Sequence, residues 1–206
     1  MASTSEKQAI LELYVGWFNR VPDVAGLDHW ITQFDLGLSL QQISQEFYNA
    51  ALQFSDDTGY VSTMTDEAFI SQLYDGVMGR GANSGLAPNA DEISYWDDAL
   101  TQLNDNRGDL LVQMISEIKS FDSTGNAAIK AVQDKFSNKV AVAESLALNN
   151  ASQWGQSSIA EGKAALTTVT DDSASVTAAV ATALGSKNEV IIVLAGIADT
   201  SFEVIM

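Results

Sequence analysis

The stretch from Leu13 to Trp30 can fold in few ways. Leu13, Trp17 and Phe18 recur at helical spacing, and Pro22 then fixes its own φ and ends the period. Asp23 is placed to cap a following helix, and Gly26 lets two backbones approach closely. Leu27 and Trp30 open a new apolar stripe three residues apart. The segment therefore predicts helix, tight turn, helix. Sixty positions on, Leu73-Tyr74-Asp75-Gly76-Val77-Met78-Gly79-Arg80 repeats its first part in worn form. A duplicated helical unit is thus the frame on which the other segments are read.

The first unit, about 6–54, predicts helices over 6–20, 23–36 and 39–54. Ser3, Thr4 or Ser5 caps the first, Gly37 stops the second and Ser39 caps the third. Ile10, Leu13, Tyr14, Trp17 and Phe18 mark one buried face, and Leu27, Trp30, Ile31 and Phe34 the next. Ile43, Phe47 and Leu52 face inward from the third helix, with Gln45 and Glu46 toward solvent. Ser55 to Gly59 reads as a loop. The second unit, about 65–121, starts at Thr65 and repeats the stripe with Phe69, Leu73, Tyr74 and Val77. Its turn is wider: ten positions separate Arg20 from Trp30, and sixteen separate Arg80 from Trp96. Ile93, Trp96 and Leu100, then Leu110, Met114 and Ile118, supply its other two helices.

A long helix over 127–149 completes a helical bundle spanning 1–150. Residues 151–206 form an Ala/Ser/Thr-rich extension with short helices over 157–167 and 173–184. Its last part, the apolar segment 189–206, carries the β-branched run Val190-Ile191-Ile192-Val193, which favours a strand. The expected fold class is mainly α, duplicated three-helix units in a bundle with a short, β-prone apolar segment.

Charge narrows the partners. The chain carries 27 acidic residues against 10 basic ones, a net −17, which repels phosphate backbones and excludes nucleic acid as an expected partner. Such a surface meets anionic lipid only through a divalent cation, and it suits encounters with calcium. No cysteine is present, which removes disulfides, zinc–thiolate sites and thiol catalysis together. Met1 to Lys7 lacks the basic and apolar regions of a cleavable signal peptide. The longest purely apolar run, Val190 to Ala198, is nine residues and too short to span a bilayer, so no transmembrane segment is expected.

Candidate site residues fall into four sets. Arg20 with Asp23, and Arg80 with Asp91 or Glu92, are read as ion pairs that lock the inter-helix turns, with ligand binding as the alternative. Trp17, Trp30 and Trp96 lie on apolar stripes and are expected in the core, whereas Trp154 lies off any stripe and is placed toward a partner surface. For calcium the candidates are Asp56, Asp57 and Thr58, then Asn89, Asp91 and Glu92 with Asp97 or Asp98 nearby, then Asp122 and Asn126. None of these forms an EF-hand loop or a glycine–aspartate repeat. His29, the sole histidine, has no nucleophile motif beside it, and the chain shows no acid–base–nucleophile constellation, so no enzyme is expected.

The string from Arg20 to Trp30, with Leu13, Tyr14 and Gly16 before it, resembles a repeat domain of bacterial secreted proteins. That family's pattern is Leu-Tyr-x-x-x-x-x-Arg-x-Pro-Asp-x-x-Gly-Leu-x-x-Trp, and it is similar to phycobilisome linker domains. Pro22, Asp23, Gly26 and Trp30 carry the match, while the second copy, with Arg80 and Trp96, lacks the Pro-Asp pair. The similarity runs from about residue 9 to 184. The resemblance implies a place in surface-layer or calcium-repeat proteins exported by type I systems, although no glycine–aspartate repeat occurs in this chain. Phe202-Glu203-Val204-Ile205-Met206, an acidic residue among apolar ones, looks like an uncleaved type I signal. The same segment can serve as an assembly strand that completes a neighbour, alone or together with the export role. The resulting expectation is a secreted, extracellular structural protein that self-associates into a surface layer, fibre or matrix, with or without calcium. The alternatives are a cell-surface adhesin binding glycans, and a cytosolic scaffold of the phycobilisome-linker type, against which the acidic charge argues.

Overall fold

The computed structural model describes residues 2–81, 87–155 and 157–185. These residues are mainly helical, with no strand among them. The first unit comprises α1 (Thr4–Phe18), α2 (Val24–Asp35), α3 (Leu40–Gln53) and the single turn α4 (Ser55–Thr58). The second comprises α5 (Asp66–Leu73), which continues as a π-helical turn over Tyr74–Met78, then α6 (Ala90–Gln102) and α7 (Arg107–Ser120). There follow α8 (Ala127–Glu144), itself extended by a π-helical turn over Ser145–Asn149, α9 (Ala151–Trp154), α10 (Ile159–Ala164) and α11 (174–185). The segment 189–206 lies outside the described residues.

Local chemistry sets most of the boundaries. Ser3, Ser39, Asn89 and Ser158 each close a capping box with Glu6, Gln42, Glu92 and Glu161, satisfying two orphan amides per helix. Asp23 and Thr65 cap α2 and α5 with one side-chain bond each. The expected loop from Ser55 to Gly59 is instead a helical turn, because Phe54 carbonyl accepts from both Asp57 and Thr58 amides. Helix α1 ends two residues earlier than the periodicity suggests. Asn19 takes a left-handed conformation (φ 45°) there, and its amide donates to Val15 carbonyl.

The two units touch through equivalent parts, as the halves of an isologous pair do. A Cβ on Gly76 would stand 2.1 Å from the carbonyl oxygen of Gly16, so these matched glycines mark where the two first helices cross. Helices α3 and α7, also counterparts, pack along each other. Ser44, fully buried, accepts from Trp17 Nε1 at 3.1 Å and donates to Gly108 carbonyl at 2.7 Å. Gln45 does not simply face solvent: its Oε1 accepts from Gly108 amide at the same crossing. Arg107 clasps the units together, giving hydrogen bonds to Tyr48 hydroxyl, Met64 carbonyl and Asp66 while lying 4.6 Å from the Phe69 ring centroid.

The segment after α8 packs on the first inter-helix turn. Trp154 is not on a partner surface. It is 2% exposed, and its Nε1 donates to Pro22 carbonyl at 2.7 Å. Val21 amide donates to Gly162 carbonyl, and Val24 amide to Gly155 carbonyl. Val21 and Val24 amides and Pro22 carbonyl are thus paired from 151–164 rather than from within the turn. Among the described residues no helix is long and apolar enough to cross a membrane.

Candidate functional site

Each unit's first turn forms a joint, and the two joints align residue by residue. Tyr14 and Tyr74, Phe18 and Met78, Asn19 and Gly79, and Arg20 and Arg80 are sixty positions apart. Past the widened loop the offset is sixty-six, so Asp23 matches Asn89, Gly26 matches Glu92, and Trp30 matches Trp96. Asn19 and Gly79 are both left-handed, ending the helix in the same manner. In both joints the arginine lies 5.3 Å from its tyrosine ring centroid. Trp96 Nε1 donates to Tyr74 hydroxyl at 3.0 Å. Burial raises both phenols, Tyr74 to about 12 and Tyr14 further.

Two lysines from α8 reach the ends of these helices. Lys139 Nζ donates to Asn19 Oδ1 at 2.8 Å, and Lys135 Nζ lies 3.2 Å from where a side chain on Gly79 would begin. A cation at a helix C-terminus meets unpaired carbonyls and the negative end of the dipole. Lys139 is 4% exposed, and desolvation lowers its ammonium to about 8.

The joints differ at the arginine. Arg80 and Glu92 form a bidentate pair at 2.5 and 2.9 Å, so Glu92 rather than Asp91 supplies the expected lock. That hydrogen bonding holds the Glu92 carboxyl below the ordinary carboxylate range. Among the described residues no such lock exists in the first joint. Asp23 spends Oδ1 on Gly26 amide at 2.8 Å and makes no ion pair with Arg20, which lies against the rings of Tyr14 and Phe18. Gly26 also has another role than the expected one. A Cβ there would meet Tyr14 hydroxyl at 2.9 Å, so the glycine makes room for the phenol rather than for a second backbone.

Beside each joint lies a cleft. The first, about 400 Å³, is walled by Phe18, Trp30, Phe47 and Phe54 and carries Arg20, Ser157 and Lys163. Trp30 is therefore half-exposed at a cleft wall, whereas Trp17 and Trp96 are in the core as expected. The second cleft, about 910 Å³, lies between the joint and α8, with Met78, Ile118, Phe121, Ile129 and Val132 on its walls. Phe121 is 56% exposed at its edge. In the first cleft the corresponding space is narrowed by Ser157, Ser158 and Ile159.

The calcium candidates remain apart. Asp56 and Asp57 lie in the first turn of α4, Asn89 caps α6, Asp91 is exposed and Glu92 is held by Arg80. Asp122 accepts from Thr124 amide, and Asn126 caps α8. Among the described residues no three acidic or histidine side chains gather as a metal-binding group. His29 is exposed and meets Trp30 edge-on at 4.9 Å. Val190, Ile191, Ile192, Val193, Phe202, Glu203, Val204, Ile205 and Met206, read as assembly or export residues, lie outside the described residues. No protein-family model, curated protein or solved structure matches the chain.

Proposed function

We propose that this chain is a structural, self-associating subunit of an extracellular layer, fibre or matrix. The observation that carries the reading is the second cleft. Its walls are wide and largely apolar, with Arg80, Glu92, Glu117, Lys135 and Asp171 also lining it, while the matched space in the first unit is lined by a later segment of the same chain and is smaller. An apolar groove of that size on an acidic protein suits a peptide segment better than water. The run Val190 to Ala198 offers nine consecutive apolar residues of suitable chemistry. Zero cysteine and the resemblance of the Arg20–Trp30 string support the extracellular setting, and calcium would bridge acidic faces between copies.

Light scattering at rising protein concentration, with calcium and with chelator, tests the proposal. The full chain should form concentration-dependent oligomers. Removal of residues 189–206, or Val132→Asp on the cleft wall, should return it toward a monomer. A full chain that stays monomeric under both conditions overturns the reading.

A further inference from the structure

The first cleft holds a set of polar groups that the assembly reading does not use. Arg20 has no hydrogen-bond acceptor and no ion-pair partner among the described residues, although a guanidinium offers five donors in a planar fork. Ser157 lines the same cleft at 8% exposure, and its hydroxyl has no hydrogen-bond partner among the described residues. A buried hydroxyl left unmet carries a desolvation cost that a bound ligand would remove. Lys163 adds a second cation, with one bond to Asp57 carbonyl. The two acidic residues at the cleft do not fill these needs. Asp23 accepts from Gly26 amide through Oδ1 and makes no ion pair with Arg20, and Asp57 is exposed at the rim.

The second joint shows what Arg20 lacks. There the fork of Arg80 is met by both oxygens of Glu92, which occupies the position of Gly26. Where the second joint supplies its own carboxylate, the first has no side chain. Aromatic walls from Phe18, Trp30, Phe47 and Phe54 then offer flat apolar faces beside the open fork. A cleft of about 400 Å³ is within the range of small-ligand sites.

From this we infer that the first cleft binds a small cyclic carboxylate, with the carboxylate on Arg20 in the place that Glu92 takes on Arg80. The ring lies against the aromatic walls, and Ser157 bonds a polar atom of the ligand. A uronic acid and an aromatic acid share that chemistry. Glucuronate, benzoate and neutral glucose are therefore the probes, titrated into the full chain by calorimetry and followed through the indole N–H signals.

At least one of the two carboxylates should bind one-to-one, and glucose should not. Glucuronate binding alone assigns a sugar acid, and benzoate binding alone an aromatic acid. Arg20→Gln should weaken binding roughly ten- to a hundredfold, the worth of a charge-assisted hydrogen bond, with Arg20→Lys between the two. Ser157→Ala should weaken it about threefold or more without lowering the melting temperature, because the hydroxyl it removes has no partner among the described residues. Lys130→Gln, remote from the cleft on α8, should change nothing. Failure of both carboxylates to bind below about 10 mM overturns the inference. So does glucose binding as tightly, or a folded Arg20→Gln or Ser157→Ala protein with unchanged affinity.

Discussion

Position 26 is glycine in the first joint, and its counterpart at position 92 is glutamate in the second; much of the difference between the two halves follows from that. Glu92 closes a capping box with Asn89 and takes both faces of the Arg80 fork, so the second joint is neutralised from within. Gly26 leaves Arg20 lying on rings, and the backbone of that joint is completed from outside by Trp154, Gly155 and Gly162. The second unit thus locks its own turn and leaves a wide apolar cleft. The first borrows a later segment for its turn and keeps a narrower one lined by Arg20 and Lys163 with Asp23 and Asp57. A duplicated helical frame can diverge in what it binds through a few turn residues, because caps and stripes hold the frame regardless.

The largest effect should come from the crossing at which the halves meet. Gly76→Ala would put a methyl 2.1 Å from a backbone carbonyl, which cannot rotate away. It should lower unfolding free energy by roughly 3 kcal/mol or more. The matched Gly16→Ala meets the side-chain ends of Leu111 and Ile115 at 3.0–3.3 Å, which can shift, and should cost about 1–2 kcal/mol. Urea midpoints of the two variants would measure the asymmetry. Equal losses would mean that the crossing is symmetric and that the backbone contact yields.

The caps and the apolar stripes were legible in the sequence because each depends on residues three or four apart. What escaped depends on long-range partners. Trp154 looked like a surface residue because its acceptor, Pro22, lies 132 positions away. Arg107 gave no local sign of its contacts to Tyr48, Met64 and Asp66. The widened loop changes the offset from sixty to sixty-six, which hid the match of Gly26 with Glu92 and made Arg20 and Asp23 look like a pair. Ser157 shows the same limit, since a sequence gives a hydroxyl but not whether anything answers it.

The lysines of α8 give a second asymmetry, readable in alkali. Lys139 is buried against the first joint with a folded value of about 8, below its ordinary 10.5, so between these values the unfolded chain binds the extra proton. Stability should therefore rise with pH over that window, by up to about 2 kcal/mol between pH 8 and 9.5. The range stops short of 10, where the buried phenols Tyr14, Tyr60 and Tyr74, all raised, begin to act in the opposite direction. Denaturant titrations of wild type and Lys139→Met should show the rise in the first and a flat response in the second. A rise that survives the substitution would assign it elsewhere.

The smallest effect bears most directly on the two arginines. Arg80→Gln breaks a bidentate pair whose side chains keep 25% and 29% of their exposure, so solvent screening limits the loss to about 1 kcal/mol. Arg20→Gln breaks no ion pair among the described residues and should cost about 0.5 kcal/mol, the loss of a partly exposed cation over two rings. Acid separates them further. The Glu92 carboxyl is lowered in the folded state, so its contribution is present above its ordinary value of 4.5 and disappears as pH falls through the folded one. The gap between wild type and Arg80→Gln should close at low pH, while the small cost of Arg20→Gln should stay constant. If Arg20→Gln instead cost as much as Arg80→Gln and lost its effect in acid, a carboxylate of the chain itself would be answering Arg20. The first joint would then be a lock like the second.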